Sequence, residues 1–324
     1  WGDGSTAGTR LVGAVTAANS LVGTTVGDFV GGNNPAGPGA GGITALSNGN
    51  YVVRSPDWAN GAATRAGAVT WVDGTNGFAF GAASPGAVVS VGNSLVGSTA
   101  LDVVGFGSSS IAGVRALSNG NYVVRSPFWN GAAADVGAVT WGNGLGGTVG
   151  AVTALNSLVG TTANDNVGLG GVTALTNGNY VVISHLWDTP AVPGPAVVNV
   201  GAVTFGDGST AGPRLVGAVA AANSLVGTTS NDQIGNSNTP VTALTNGNYV
   251  VSSRFWDNGA AADAGAVTFG SGTTGVSGVV SAANSLVGTT ADDLVGSVGG
   301  SVPAVTALSN GNYVVISPFW DGAA

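Results

Sequence analysis

An all-β fold built from five copies of a four-stranded unit is what this sequence predicts. Three observations carry that prediction. The phrase LSNGNYVV stands at 46–53, 117–124 and 308–315, and LTNGNYVV at 175–182 and 244–251. Its tyrosines, Tyr51, Tyr122, Tyr180, Tyr249 and Tyr313, lie 71, 58, 69 and 64 residues apart, a period that marks repeated supersecondary units. Each copy also holds an Asn-Gly pair between β-branched and aromatic residues, the strongest short-range hairpin signal. Finally, the seven basic residues are all Arg and the fifteen acids all Asp, so Lys and Glu, which favour helices, are missing.

Composition narrows the class. With 58 Gly in 324 residues but no Gly-X-Y period, the chain is not collagenous. Charged residues make up only 7%, unlike the charge-rich composition of disordered chains. The net charge of −8 argues against nucleic-acid binding, and there is no polybasic segment to attract anionic lipid. Without Cys there is neither a disulfide framework nor a thiolate metal site. Gly, Asn, Ser or Thr interrupts every apolar run before the ~18 residues that a membrane helix needs.

In chain order, each unit reads as four strand-like phrases. The first is VTAL or a variant, ending at Leu46, Leu117, Leu175, Leu244 and Leu308. The second is YVV, followed a few residues later by Trp58, Trp129, Trp187, Trp256 or Trp320. The Asn-Gly pairs between them, beginning at Asn48, Asn119, Asn177, Asn246 and Asn310, read as turns with positive φ at both central residues. The third phrase is GAVT plus an aromatic, at 67–71, 137–141, 201–205 and 265–269. The fourth is NSLVG, at 19–23, 93–97, 156–160, 223–227 and 284–288. GDGSTAG at 2–8 and 206–212, with relatives around Asp73, Asn143 and Ser271, reads as the loop between the third and fourth.

A four-stranded unit of this size cannot bury both its faces alone. Closing units into a ring lets each pack on two neighbours and leaves no long edge. Residues 1–324 therefore read as one domain, a five-bladed β-propeller of four-stranded antiparallel blades. Its closing blade is shared between the N- and C-terminal segments. A β-solenoid competes, but its coils of ~20–30 residues hold fewer turn-separated strands.

The order Asp-x-Val-Gly, VTAL, turn, YVV, GAVTW resembles the FG-GAP repeat of integrin α-subunit propellers, and repeats of large exported bacterial adhesin-type proteins. The resemblance implies that VTAL is the innermost strand, NSLVG the outermost, and that the N-terminus supplies the outer strand of the last blade. The family's Asp-rich calcium loop is shortened here to Ser/Thr-Asn-Gly-Asn, so the resemblance does not carry calcium over, and no cofactor is expected.

The phase of the ends is informative. Trp1 matches Trp71, Trp141, Phe205 and Phe269, yet lacks the GAVT that precedes each of them, and the chain stops at Ala324 before a fifth GAVT. One interior strand of the closing blade is thus missing. Three accounts compete: further chain beyond these residues, disordered ends, or donation by a neighbouring molecule through β-augmentation.

Repeated polar residues are weighed against packing roles. Asp28, Asp102, Asp165, Asp232 and Asp293 form either a cation-binding ring or, as favoured, acceptors for turn N–H groups. Trp58, Trp129, Trp187, Trp256 and Trp320 are the candidate ligand-binding residues, as sugar-stacking platforms with Asn60, Asn130, Asp188, Asp257 and Asp321 beside them. Their competing role is packing between blades. His185, the sole histidine, reads as drift at an exposed position and cannot make a multi-His metal site. Arg54 and Arg125 recur at one position in only two units, Arg10 and Arg214 precede LVG in two units only, and no Gly-Lys-Ser/Thr phosphate loop exists.

The expected function is non-enzymatic: a structural or adhesive module of a secreted or cell-surface protein. It would belong to a tandem array or extracellular fibre, self-associating or continuing into a longer chain. The alternative is a lectin-like propeller that binds surface glycans. An Asp-based glycosidase needs two carboxylates at a set separation, and no repeat carries a distinctive acidic insertion.

Overall fold

The computed structural model describes residues 2, 13–32, 42–108, 110–190, 194–237, 239–299 and 302–321. Trp1, most of the 2–8 loop and Arg10 lie outside them. The described residues are all-β, with short strands, turns and no helix, arranged in six sheets.

Unit 1 sets the pattern. Its first strand is Ile43–Ala45, its second Tyr51–Ser55, its third Ala68–Val72 and its fourth Ser94–Val96. Neighbours pair antiparallel, with Ala45 opposite Tyr51, Val52 opposite Trp71, and Thr70 opposite Ser94. Val and Thr stiffen these segments at χ1 and suit a pleated, buried surface. Units 2, 3 and 4 repeat the order with second strands Tyr122–Ser126, Tyr180–Ser184 and Tyr249–Ser253. Among the described residues, unit 5 has only Val305–Ala307 and Tyr313–Val315, which form a sheet of their own.

Two features depart from expectation. The four-stranded sheets of units 1, 2 and 3 each gain a fifth strand from the following unit. Gly150–Ala151, Gly217–Ala218 and Gly278–Val279 each run parallel to the preceding unit's fourth strand. Leu21–Val22 pairs in the same way with Ala87–Val88. No ladder joins it to unit 5 among the described residues, so the sheets do not close into a ring: the third strand that would lie between them is missing there.

The hairpin turns differ too. Gly49 has φ 89°, but Asn48 does not enter the left-handed region. Gly49 N–H donates to Leu46 O at 3.2 Å, and Leu46 N–H to Asn50 O at 2.8 Å. This is a three-residue loop, a turn followed by a left-handed glycine, rather than the two-residue turn expected. Asn48 instead accepts from Asn50 N–H through Oδ1 at 3.1 Å.

The core lies between units. Val52, Val69, Trp71 and Leu95 face forward from unit 1 and pack against Tyr122, Val124, Trp129 and Ala138 of unit 2. The same layer recurs between units 2 and 3, and between 3 and 4. Period-2 alternation makes this possible, because Val123 and Val124 point to opposite faces, Val124 meeting unit 1 and Val123 meeting unit 3.

Candidate functional site

The residues repeated in every unit meet at the junctions between units, in three layers. The first is an aspartate clamp. Asp102 Oδ2 accepts the N–H groups of Ser98 and Thr99, both at 2.8 Å, and its Oδ1 accepts Asn130 N–H at 2.9 Å. Asp28, Asp165, Asp232 and Asp293 do the same, each reaching the N–H of the residue just after the unit's Trp. A loop leaving one sheet is thereby tied to a loop of the next. The glycine closing NSLVG makes room for it, since a Cβ on Gly97 would lie 2.7 Å from Asp102 Cβ.

Burial raises the pKa values of Asp165 and Asp232 above the usual carboxylate value, while the N–H bonds oppose the rise. At Asp293 the balance reverses: the N–H groups of Asp321 and then Thr290 hold it below. Among the described residues, no group of three or more His, Cys, Asp or Glu is placed to hold a metal ion.

The second layer contains the tryptophans. Trp58, Trp129, Trp187 and Trp256 are 4, 8, 2 and 5% exposed, and their rings fill the layer between sheets. Their indole N–H groups are buried without a partner. Trp320, in unit 5, is 56% exposed. Of the polar residues beside these tryptophans, Asn60, Asn130, Asp188 and Asp257 are engaged by protein, while Asp321 is exposed. Asn60 donates to Gly97 O at 2.9 Å, and Asp188 and Asp257 accept the N–H groups of Asn199 and Asp263.

The third layer is a relay of asparagines that the sequence alone did not reveal. Asn50 Oδ1 accepts Gly74 N–H at 3.0 Å, and its Nδ2 donates across the junction to Gly144 O at 2.8 Å. Gly144 N–H donates to Asn121 Oδ1, and Asn121 Nδ2 donates to Gly208 O in unit 3. Asn179 and Gly272 carry the pattern on to Asn248. The carbonyl of Gly208 collects three donors: Asn119 Nδ2, Asn121 Nδ2 and Trp141 Nε1, the last at 3.0 Å. Beside it, Ser47, Ser118, Thr176 and Thr245 each donate a hydroxyl proton to a backbone carbonyl of the next unit's turn. One signal was present in the sequence: a turn needs only Asn-Gly, yet a second Asn follows in all five copies.

The remaining candidates are scattered. Arg125 is 1% exposed, with its guanidinium 3.4 Å from Phe106 O and 3.5 Å from Leu169 O. Burial, and then the charge of Arg54, pull its pKa down to about 10. His185 is half-buried rather than exposed, and burial lowers its pKa. Arg214 stacks 3.4 Å over the Trp141 ring. Nothing in this set brings a nucleophile, a base and an open cleft together.

Comparison with known families gives one match. A model described as a repeat of unknown function (DUF5650) fits residues 1–32, 45–106, 116–169, 174–236, 243–297 and 307–324. No curated protein matches the chain.

Proposed function

Because the chain belongs to the family of repeats of unknown function DUF5650, we propose its role from its own junctions: a non-enzymatic structural or adhesive module of a secreted or cell-surface protein. One observation carries the reading. The repeated polar and aromatic residues bond and pack unit to unit, while the two end faces leave open the apolar residues that internal junctions cover. Val314 and Ile316 are exposed on unit 5, where their counterparts Val52 and Ile183 are buried in units 1 and 3. Ile43 is exposed on unit 1, where its counterpart Val114 is buried. A cavity of about 180 Å³ beside Tyr51 and Val53 lies where later junctions receive an aromatic of the preceding unit.

The finer architecture is part of the proposal. The units are the blades of a five-bladed FG-GAP-like propeller, whose last blade takes its inner strands from unit 5 and its outer strand from Leu21–Val22. In a tandem array or fibre, such rings follow one another as beads.

The test uses the absence of Cys. Ser47 Oγ lies 3.1 Å from Ser118 O across an internal junction, so ring closure brings Ser309 beside Ser47. A chain carrying Ser47→Cys and Ser309→Cys, treated with a short bismaleimide, is expected to cross-link within one molecule. Links only between molecules would replace the ring with open stacking, and no link would overturn both. Surface labelling of intact cells tests the localisation. The lectin reading retains one open platform, Trp320. A glycan array that lights up, and goes dark on Trp320→Ala, would favour it.

A further inference from the structure

Three of the seven Arg gather near one cavity among the inner units. The cavity, of about 230 Å³, is bordered by Ser110, Ile111 and Arg115 of unit 2, Gly171 and Thr173 of unit 3, and Pro240 of unit 4. Arg115 stands in the first strand of unit 2, Val114–Ala116, where the other units have Thr44, Thr173, Thr242 and Thr306. Its side chain is exposed, with no hydrogen bond or ion pair among the described residues.

Arg125 lies behind the wall of this cavity. A Cβ on Gly171 would stand 3.3 Å from Ile111 Cγ2 and 3.9 Å from Arg125 Nη1, so little more than a glycine backbone covers the guanidinium. Arg125 is 1% exposed, and its Nε–H is buried without a partner. Its other bonds, to Phe106 O and Leu169 O at 3.4 and 3.5 Å, are at the long limit for hydrogen bonds. Arg54, buried in unit 1, adds a second positive charge close enough to act on the first. Among the described residues no Asp lines the cavity or bonds Arg125, although the chain has fifteen Asp and a net charge of −8. Carbonyl dipoles alone leave most of a buried guanidinium charge uncompensated, and an anion within reach offsets it.

We infer that this cavity binds a small oxyanion, a carboxylate, sulfate or phosphate group, held directly by Arg115 and Ser110 and attracted by the charge of Arg125 behind Gly171. Arg115 offers the planar fork that suits two oxygens. Ile111 and Pro240 lower the local dielectric, which strengthens the attraction. The volume falls below the roughly 300 Å³ at which pockets for drug-sized ligands begin. It suits a free ion or the charged head of a larger molecule. The site lies within units 2 to 4, so it does not depend on how the ring closes.

The repeat itself supplies the variants for a test. Unit 3 has Ile183 where unit 2 has Arg125, and Thr173 where unit 2 has Arg115. The urea midpoints of the unaltered chain, Arg125→Ile and Arg115→Thr are followed while chloride is exchanged for phosphate, sulfate, acetate or glucuronate at fixed ionic strength. Excluded anions stabilise any fold without saturating, whereas a bound one gives a saturable rise. The unaltered chain is expected to show that rise, and each variant to bind at least about tenfold more weakly, from the loss of one charged partner. In chloride alone, Arg125→Ile is expected to be at least as stable as the unaltered chain, because it removes a buried charge. Calorimetric titration of the unaltered chain with the same four anions measures binding without any variant. Saturation by glucuronate and acetate would assign the site to a carboxylate head group, and saturation by phosphate or sulfate alone to a free ion. No saturable binding of any of the four, or equal binding by all three chains, overturns the inference. So does an Arg125→Ile chain that is less stable in chloride and unchanged in anion affinity, which would make Arg125 a strut between loops.

Discussion

Leu101 sits at φ 70° and is exposed, one position before the clamp residue Asp102. Left-handed backbone costs a branched side chain about 1 kcal/mol, while Asn tolerates it. Units 3 and 4 are preceded at this position by Asn164 and Asn231, at φ 67° and 69°. Leu101→Asn is therefore expected to stabilise the protein by about 0.5–1 kcal/mol, measured as a shifted urea midpoint at constant slope. Asp102→Ala is the opposite case. It strands three N–H groups that the carboxylate satisfies, and is expected to cost about 2–3 kcal/mol in the same measurement. A milder loss for Asp102→Ala than for the exposed control Asp321→Ala would refute the clamp.

At the scale of the strand and its loops, hydrogen bonds that cross a junction separate equivalent residues by position. Asn121 links Gly144 N–H to Gly208 O, but no following unit lies against Asn312 in unit 5 among the described residues. Asn121→Ala is expected to cost about 2 kcal/mol and Asn312→Ala almost nothing, although both stand just before the tyrosine of one phrase. Acid gives a second contrast. Asp293 has a depressed pKa, so its contribution is complete above the ordinary aspartate value and is lost as pH falls through its folded value. Asp165 and Asp232 have raised values, so theirs is complete below the ordinary value and lost as pH rises through the folded ones. Acidification below about pH 4 is therefore expected to loosen the Asp321 amide before those of Asp188 and Asp257. Hydrogen exchange at these three amides, compared across pH, is the check; loosening in the reverse order would contradict it.

For the molecule as a whole, stability comes from layers between units rather than within them, as in repeat proteins whose units contact only their neighbours. Interior units are covered on both faces and unit 5 on one. Backbone amides of Tyr313–Val315 are expected to exchange at a lower opening free energy than those of Tyr180–Ser184. Uniform protection of both strands would show that the open face is covered in solution.

Features that depend on neighbours along the chain were legible in the amino-acid order. The repeat count, the order of strand phrases, the hairpin positions and the alternation that makes each sheet two-faced all follow from local propensity and period. The clamp aspartates were legible for the same reason, since two of their three donors lie three and four residues away. What Asn50 and Asn121 do was not legible, because their partners stand 94 and 87 residues along the chain. The turn type escaped as well: Asn48 donates across the junction to Gly144 O, and its turn keeps φ positive only at Gly49. The fate of the tryptophans also needed the tertiary structure. The same phrase buries Trp187 and exposes Trp320, and the difference is a strand that pairs with one second strand and not the other. Hydrogen bonding along a chain is a property of its order; burial is a property of what lies alongside, and only the packed units decide that.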